Sequence, residues 1–212
     1  MSPKTFNLPH SRLIRIWHWL TFLVMVFSLF SVLIGNVILK PNVISPMVQE
    51  NLQHSGVQIS EKQAHGVAHE IKDIIWTWHK IIGYGLGLLL IFRFFIEFAQ
   101  SKEERMAVRI QNAKIGLKDP SLDTNDLKHF IWVNRAYVLF FLLLSFMAIT
   151  GLGMAYEDDV PWLDHIKKLN HNLHGLGQYA MYAYLLIHVT GVVISDMTKH
   201  KGLVSGMING NS

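Results

Sequence analysis

Four apolar runs, at residues 16–39, 75–98, 130–156 and 173–196, constrain this chain more than any other feature. Each is long enough to cross the hydrocarbon core of a bilayer, which takes about 20 residues of helix. Inside lipid there is no water for backbone amides and carbonyls, so a spanning segment must satisfy them itself, and a helix does so along its own length. The predicted fold is therefore an all-α membrane protein, a four-transmembrane-helix bundle forming one domain over 1–212. Composition agrees. Half the residues are hydrophobic and 16% are charged, against roughly 25% charged in soluble domains. No small-residue cleavage site follows the first run, which is read as a retained anchor.

Orientation follows from the flanking Lys and Arg, because cytoplasmic segments carry the excess. The tails and the middle connection hold eleven: Lys4, Arg12, Arg15, Lys102, Arg105, Arg109, Lys114, Lys118, Lys128, Lys199 and Lys201. The other two connections hold five: Lys40, Lys62, Lys72, Lys167 and Lys168. Both termini are predicted to be cytoplasmic. Glu157, Asp158 and Asp159 then fall outside. Trp17, Trp19, Trp76, Trp78, Trp132 and Trp162 lie near span ends, where an aromatic belt would sit. No basic stripe points to nucleic acid. The absence of cysteine excludes disulfides, thiolate-held clusters and covalent attachment of haem.

The stretch "HNLHGLGQYAMYAYLLIH", 171–188, puts three histidines in or beside one span. An ionisable residue within a membrane is a functional candidate by default. His174 and His188 are 14 residues apart, about 40° short of four full turns, so they share a helix face about 21 Å apart along the axis. His171 lies about 100° off that face and is read as an interfacial residue. Following the chain through the membrane, His79 matches His174 in depth on the outer side, and His18 matches His188 on the inner side. Each couple draws its members from two helices, the arrangement that bis-histidine ligation of haem between helices needs. Zinc or copper is disfavoured, since two couples at opposite depths do not converge on one centre. The bland alternative is hydrogen bonding between helices with no cofactor.

Glycines cluster beside these histidines: Gly83, Gly85 and Gly87 after His79, Gly175 and Gly177 after His174, and Gly191 after His188. Small residues admit a macrocycle or a neighbouring helix close to the backbone. Arg15, Lys80, Arg93 and Arg135 lie within or at the edges of spans. Lys80 and Arg15 have the depths to meet haem propionates of the outer and inner haem. Arg93, 14 residues after His79, could face the inner haem or a quinone. Each could equally snorkel to the interface. His65 and His69 share a face if their segment is helical, and read as an amphipathic surface rather than a metal site. His10, His54, His129, His165 and His200 are extramembrane. The nine methionines are read as packing.

The chain resembles the prokaryotic cytochrome b561 group of four-helix, di-haem membrane cytochromes, whose relatives include the cytochrome b subunits of nickel–iron hydrogenases, formate dehydrogenases and thiosulfate reductases. The motifs that carry the likeness are "RLIRIWHW" (12–19), "WHKIIGYGLGLLLIFRF" (78–94), "ITGLGMAY" (149–156), "HGLGQYAMYAYLLIH" (174–188) and the tail "KGLVSGMING" (201–210). The resemblance implies two haem b groups with His18, His79, His174 and His188 as axial ligands. It also implies a quinone as substrate or bound cofactor and a place in a bacterial cytoplasmic membrane. Bis-imidazole iron leaves no open position for substrate. The expected function is electron transfer between a quinone pool and a redox partner, with oligomers compatible. The long connections at 40–74 and 100–129 favour a docked peripheral or membrane subunit. The alternative is a stand-alone cytochrome that oxidises superoxide and reduces quinone. A non-redox transporter or scaffold is the third class.

Overall fold

The computed structural model describes residues 11–103, 105–198 and 203–210. Lys4, His10, Lys199, His200 and Lys201 lie outside the described residues. The chain is all-helical, with no strand among the described residues. In order come α1 (Arg12–Leu33), a π-helical turn (Ile34–Ile38), α2 (Pro41–His54), α3 (Glu61–Ala99), α4 (Met106–Gly116), α5 (Thr124–Ala155), α6 (Pro161–His165), α7 (Lys167–Met197) and α8 (Leu203–Asn209). Four helices are long and apolar enough to cross a membrane: α1 with its π-turn, α3, α5 and α7. Their large side chains stand open. Phe98, Ile149, Leu186 and Ile187 are each at least 70% exposed. In water such faces would drive association, whereas lipid tails solvate them.

The helices are longer than the apolar runs. α3 has 39 residues, about 58 Å of helix, nearly twice a hydrocarbon core. Its start is set by a capping box: Gln63 Oε1 accepts from Ser60 N at 2.9 Å, and Ser60 Oγ accepts from Gln63 N at 3.3 Å. Ser60 lies 15 residues before the apolar run begins and Gln63 lies 12 before it, so the first long connection is mostly helix. Pro41 opens α2, where a first-turn proline loses no helical hydrogen bond. α5 is capped by Asp123, whose Oδ1 accepts from Asn125 N at 2.7 Å and Asp126 N at 3.4 Å. Asp123→Ala should lower stability by about 0.5–2 kcal/mol. Thermal unfolding of the detergent-solubilised variant checks this.

The chain groups into two compact units. One is 20–86. Within it Ala64 and Ala68 are fully buried, and Gly35 in the π-turn lies against the Trp76 ring. The other joins 1–19 with 87–212. There Ala113 on α4 packs with Leu127 and Ile131 on α5, flanked by Leu117, Leu122 and Phe130. Trp17 is 3% exposed and donates from Nε1 to Leu89 O at 2.7 Å. It is a core residue and not part of an aromatic belt. Its indole could enter the core because that carbonyl takes its one donor. Trp78, Trp132 and Trp162 are exposed, as belt residues would be.

α5 and α7 meet through glycines. A Cβ on Gly177 would stand 2.6 Å from Met147 Sδ and 2.9 Å from the Phe146 ring. A Cβ on Gly153 would stand 2.6 Å from Asn170 Nδ2, the atom that donates to Thr150 O at 2.9 Å. Small residues of this kind let two membrane helices approach until side chains bond to the opposite backbone.

Candidate functional site

The two ends of α7 present different surroundings to their histidines. At one end His174 Nδ1 is 2.9 Å from Thr150 Oγ1 on α5. Gly151 makes this possible, since a Cβ there would sit 3.2 Å from the imidazole. At the other end the His188 ring is 6.3 Å from that of His18, centre to centre. Tyr184 stacks on His188 at 6.0 Å with the planes 6° apart. A metal–imidazole bond is about 2.0–2.1 Å and a ring centre lies about 1.2 Å behind its nitrogen. Two imidazoles facing each other across one metal would therefore have centres about 6.4 Å apart. His18 and His188 have the spacing of a pair that shares an iron.

His79 lies on α3 in the other unit. Its Nδ1 is 2.9 Å from Ser31 Oγ on α1, and its ring meets Trp76 edge-on at 5.5 Å. His79 and His174 thus have the same kind of partner, a buried hydroxyl on an adjacent helix. Neither Ser31 nor Thr150 stands out in the sequence. The available signal is that a serine or threonine in a membrane helix can bond back to a carbonyl three or four residues earlier and still offer a lone pair.

Arg15 comes one turn before His18. Its Nε and Nη1 are buried with no hydrogen-bond partner among the described residues. The guanidinium lies against Gly210, whose φ of 81° already favours glycine and where a Cβ would collide with it. Arg12, Arg15, Ile16, Trp19, Met207 and Ile208 line a pocket of about 360 Å³, and Trp19 Nε1 donates to Met207 O at 3.1 Å. A buried cation with unsatisfied donors calls for an anion, which fits a haem carboxylate beside His18.

The other sequence candidates stand as follows. Arg93 is 8% exposed and paired with Glu97 at 2.9 Å, and it lies over the Trp17 and Phe141 rings at 5.9 and 5.4 Å. Glu97 Oε1 in turn accepts from Met106 N at 2.6 Å. Arg93 is therefore charge-compensated within the protein. Lys80 is exposed. Arg135 is exposed beside Trp132. Of the glycines, Gly177 is helix packing, and Gly85 meets only Val24, at 3.9 Å. A Cβ on Gly83, Gly87, Gly175 or Gly191 would meet nothing within 4 Å among the described residues, so a planar ligand could approach these positions. His65 and His69 are exposed with rings 4.7 Å apart. No cluster of three or more metal-binding side chains occurs among the described residues.

His171 meets Glu157, which accepts from His171 Nε2 and from Lys167 Nζ, each at 2.9 Å. Burial alone would raise the Glu157 carboxyl. The hydrogen bonds and charges of Lys167 and His171 outweigh it and hold the group below its ordinary 4.5. A carboxyl depressed in the folded chain contributes stability in full above the unfolded value and loses it as pH falls through the folded one. The melting-temperature gap between the wild type and Glu157→Gln, present in full at about pH 6, should close only as pH falls below 4.5 and through the lower folded value.

Long apolar helices that carry half-buried imidazoles, and an arginine with two buried, unsatisfied donors, suit a multi-pass membrane protein that holds a cofactor between its helices. The chain matches the family model described as prokaryotic cytochrome b561 over residues 9–210. It belongs to that family. It is a membrane b-type cytochrome, and electron transfer through b-type haem is the activity the family carries. No curated protein and no solved structure matches it significantly.

Proposed function

We propose that this protein carries electrons across a bacterial cytoplasmic membrane, linking a quinone pool to a redox partner. Both termini face the cytoplasm, and the chain would bind two haem b groups. His18 and His188 would hold the one on the inner side, and His79 and His174 the one on the outer. Arg15 meets a propionate of the inner haem, and Lys80 one of the outer. Haem bound in this way supplies one-electron chemistry at iron. The chain's own part is to fix the imidazoles, compensate the carboxylates and exclude water, which together set the potentials. The observation that carries this reading is the 6.3 Å separation of His18 and His188, together with the unsatisfied Arg15 guanidinium beside them.

A docked redox subunit is favoured over a stand-alone, superoxide-oxidising cytochrome. The support is the helical elaboration of the first connection, where Ile44, Met47, Val48, Asn51, Leu52 and Val67 line an apolar groove of about 450 Å³. Arg93, closed off by Glu97, is the weakest candidate for a quinone contact. The deciding experiment is reconstitution of the purified chain into vesicles with ferricyanide trapped inside and a quinol added outside. Trapped ferricyanide is reduced if electrons cross. Vesicles with the haem-loaded chain that stay oxidised would defeat the proposal. Rapid reduction of the oxidised chain by superoxide, which is released as oxygen, with the electrons passed on to quinone, would favour the stand-alone reading instead.

A further inference from the structure

We infer that Ser31 and Thr150 are positioning residues that fix the tautomer and electron donation of His79 and His174. This rests on the reading of those histidines as haem ligands. A hydroxyl has one proton to give and lone pairs to accept with. In both residues the proton is committed to a backbone carbonyl, which can only accept. Ser31 Oγ donates to Ser28 O at 2.6 Å. Thr150 Oγ1 donates to Phe146 O at 2.8 Å, with Met147 O at 3.3 Å. With the proton so placed, each hydroxyl meets the imidazole nitrogen as an acceptor. The nitrogen 2.9 Å away is Nδ1 in both cases. Nδ1 carries the proton, and in a neutral imidazole the ligating lone pair then belongs to Nε2.

Burial makes this assignment firm. Ser31 is 7% exposed and Thr150 6%, so neither hydroxyl has water to turn towards. With the proton on Nε2 instead, each hydroxyl would turn its own proton from the carbonyl to Nδ1, and Nε2 would have no lone pair left for iron. The partners are also locked. Asn170 Nδ2 donates to Thr150 O at 2.9 Å, and Gly151 and Gly153 bring α5 close enough for both contacts. α5 supplies no axial ligand. Its contribution to the site is this acceptor.

An acceptor on Nδ1–H makes the imidazole a stronger donor, and second-sphere partners of this kind tune the metal they support. A more electron-rich ligand favours ferric over ferrous iron. Removing either hydroxyl should raise the midpoint potential of one haem, the same haem for both residues, and leave the other unchanged. Ser31→Ala, Thr150→Val and Thr150→Ser are compared with the parent by haem content, redox titration and the g-values of the low-spin ferric haems. We expect two haems retained, one potential shifted upward in Ser31→Ala and in Thr150→Val with altered g-values for that haem, and parent values restored in Thr150→Ser. Loss of that one haem in Thr150→Val, with the other potential intact and Thr150→Ser normal, also supports the role. Unchanged potentials and g-values with both haems present would overturn it, as would loss of both haems with loss of helix. His174→Ala is the separate control. If it keeps both haems, the ligand reading fails. If it loses one while Ser31→Ala and Thr150→Val change nothing, only this inference fails.

Discussion

Replacing His174 by alanine is expected to remove one of the two proposed b-type haems, and replacing His18 the other. The pairing makes a sharper statement than either loss alone. If His79 and His174 hold one iron, the double variant His79→Ala/His174→Ala keeps one haem, the same as either single variant. His18→Ala/His188→Ala likewise keeps one, and His18→Ala/His174→Ala keeps none. Effects within one site are non-additive because the first loss already abolishes the site, while separate sites add. Pyridine haemochrome content with reduced-minus-oxidised spectra of the purified variants reads the result. A full haem complement in His18→Ala would mean that the 6.3 Å spacing of His18 and His188 is not that of a ligand pair.

Gly177→Leu should lower stability by about 1–3 kcal/mol, the usual cost of overpacking a close contact. The side chain would enter space held by Met147 Sδ and the Phe146 ring, both under 3.0 Å from a Cβ. Methionine can swing away, but the phenylalanine ring cannot move without shifting α5 against α7. The same displacement would loosen the Thr150–His174 contact of 2.9 Å, so haem retention should fall along with the melting temperature. Gly66→Ala on α3 is the paired control, since no neighbouring group among the described residues lies within 4 Å of its Cβ position, and it should be close to neutral. Equal melting temperatures for the two variants would mean that α5 and α7 do not rely on this approach.

The four spans and the all-helical class were legible in the sequence, because apolar run length is a direct readout of hydrocarbon thickness and needs no tertiary information. Membership of the cytochrome b561 family was legible for a related reason. The order and spacing of "RLIRIWHW", "WHKIIGYGLG" and "HGLGQYAMYAYLLIH" lie along single helices, where separation in sequence fixes separation in space. The start of α3 was also present, in Ser60 and Gln63, but hydropathy does not detect a cap that lies outside the apolar run. Tertiary structure decided what depended on partners from another helix. Trp17 became core because Leu89 O was within reach of its indole. Arg93 found Glu97, while Nε and Nη1 of Arg15 found no partner among the described residues. The hydroxyls that hold His79 and His174 lie 48 and 24 residues away in the chain. Periodicity tells which face a side chain occupies, and only the packing of helices decides which atom it meets there.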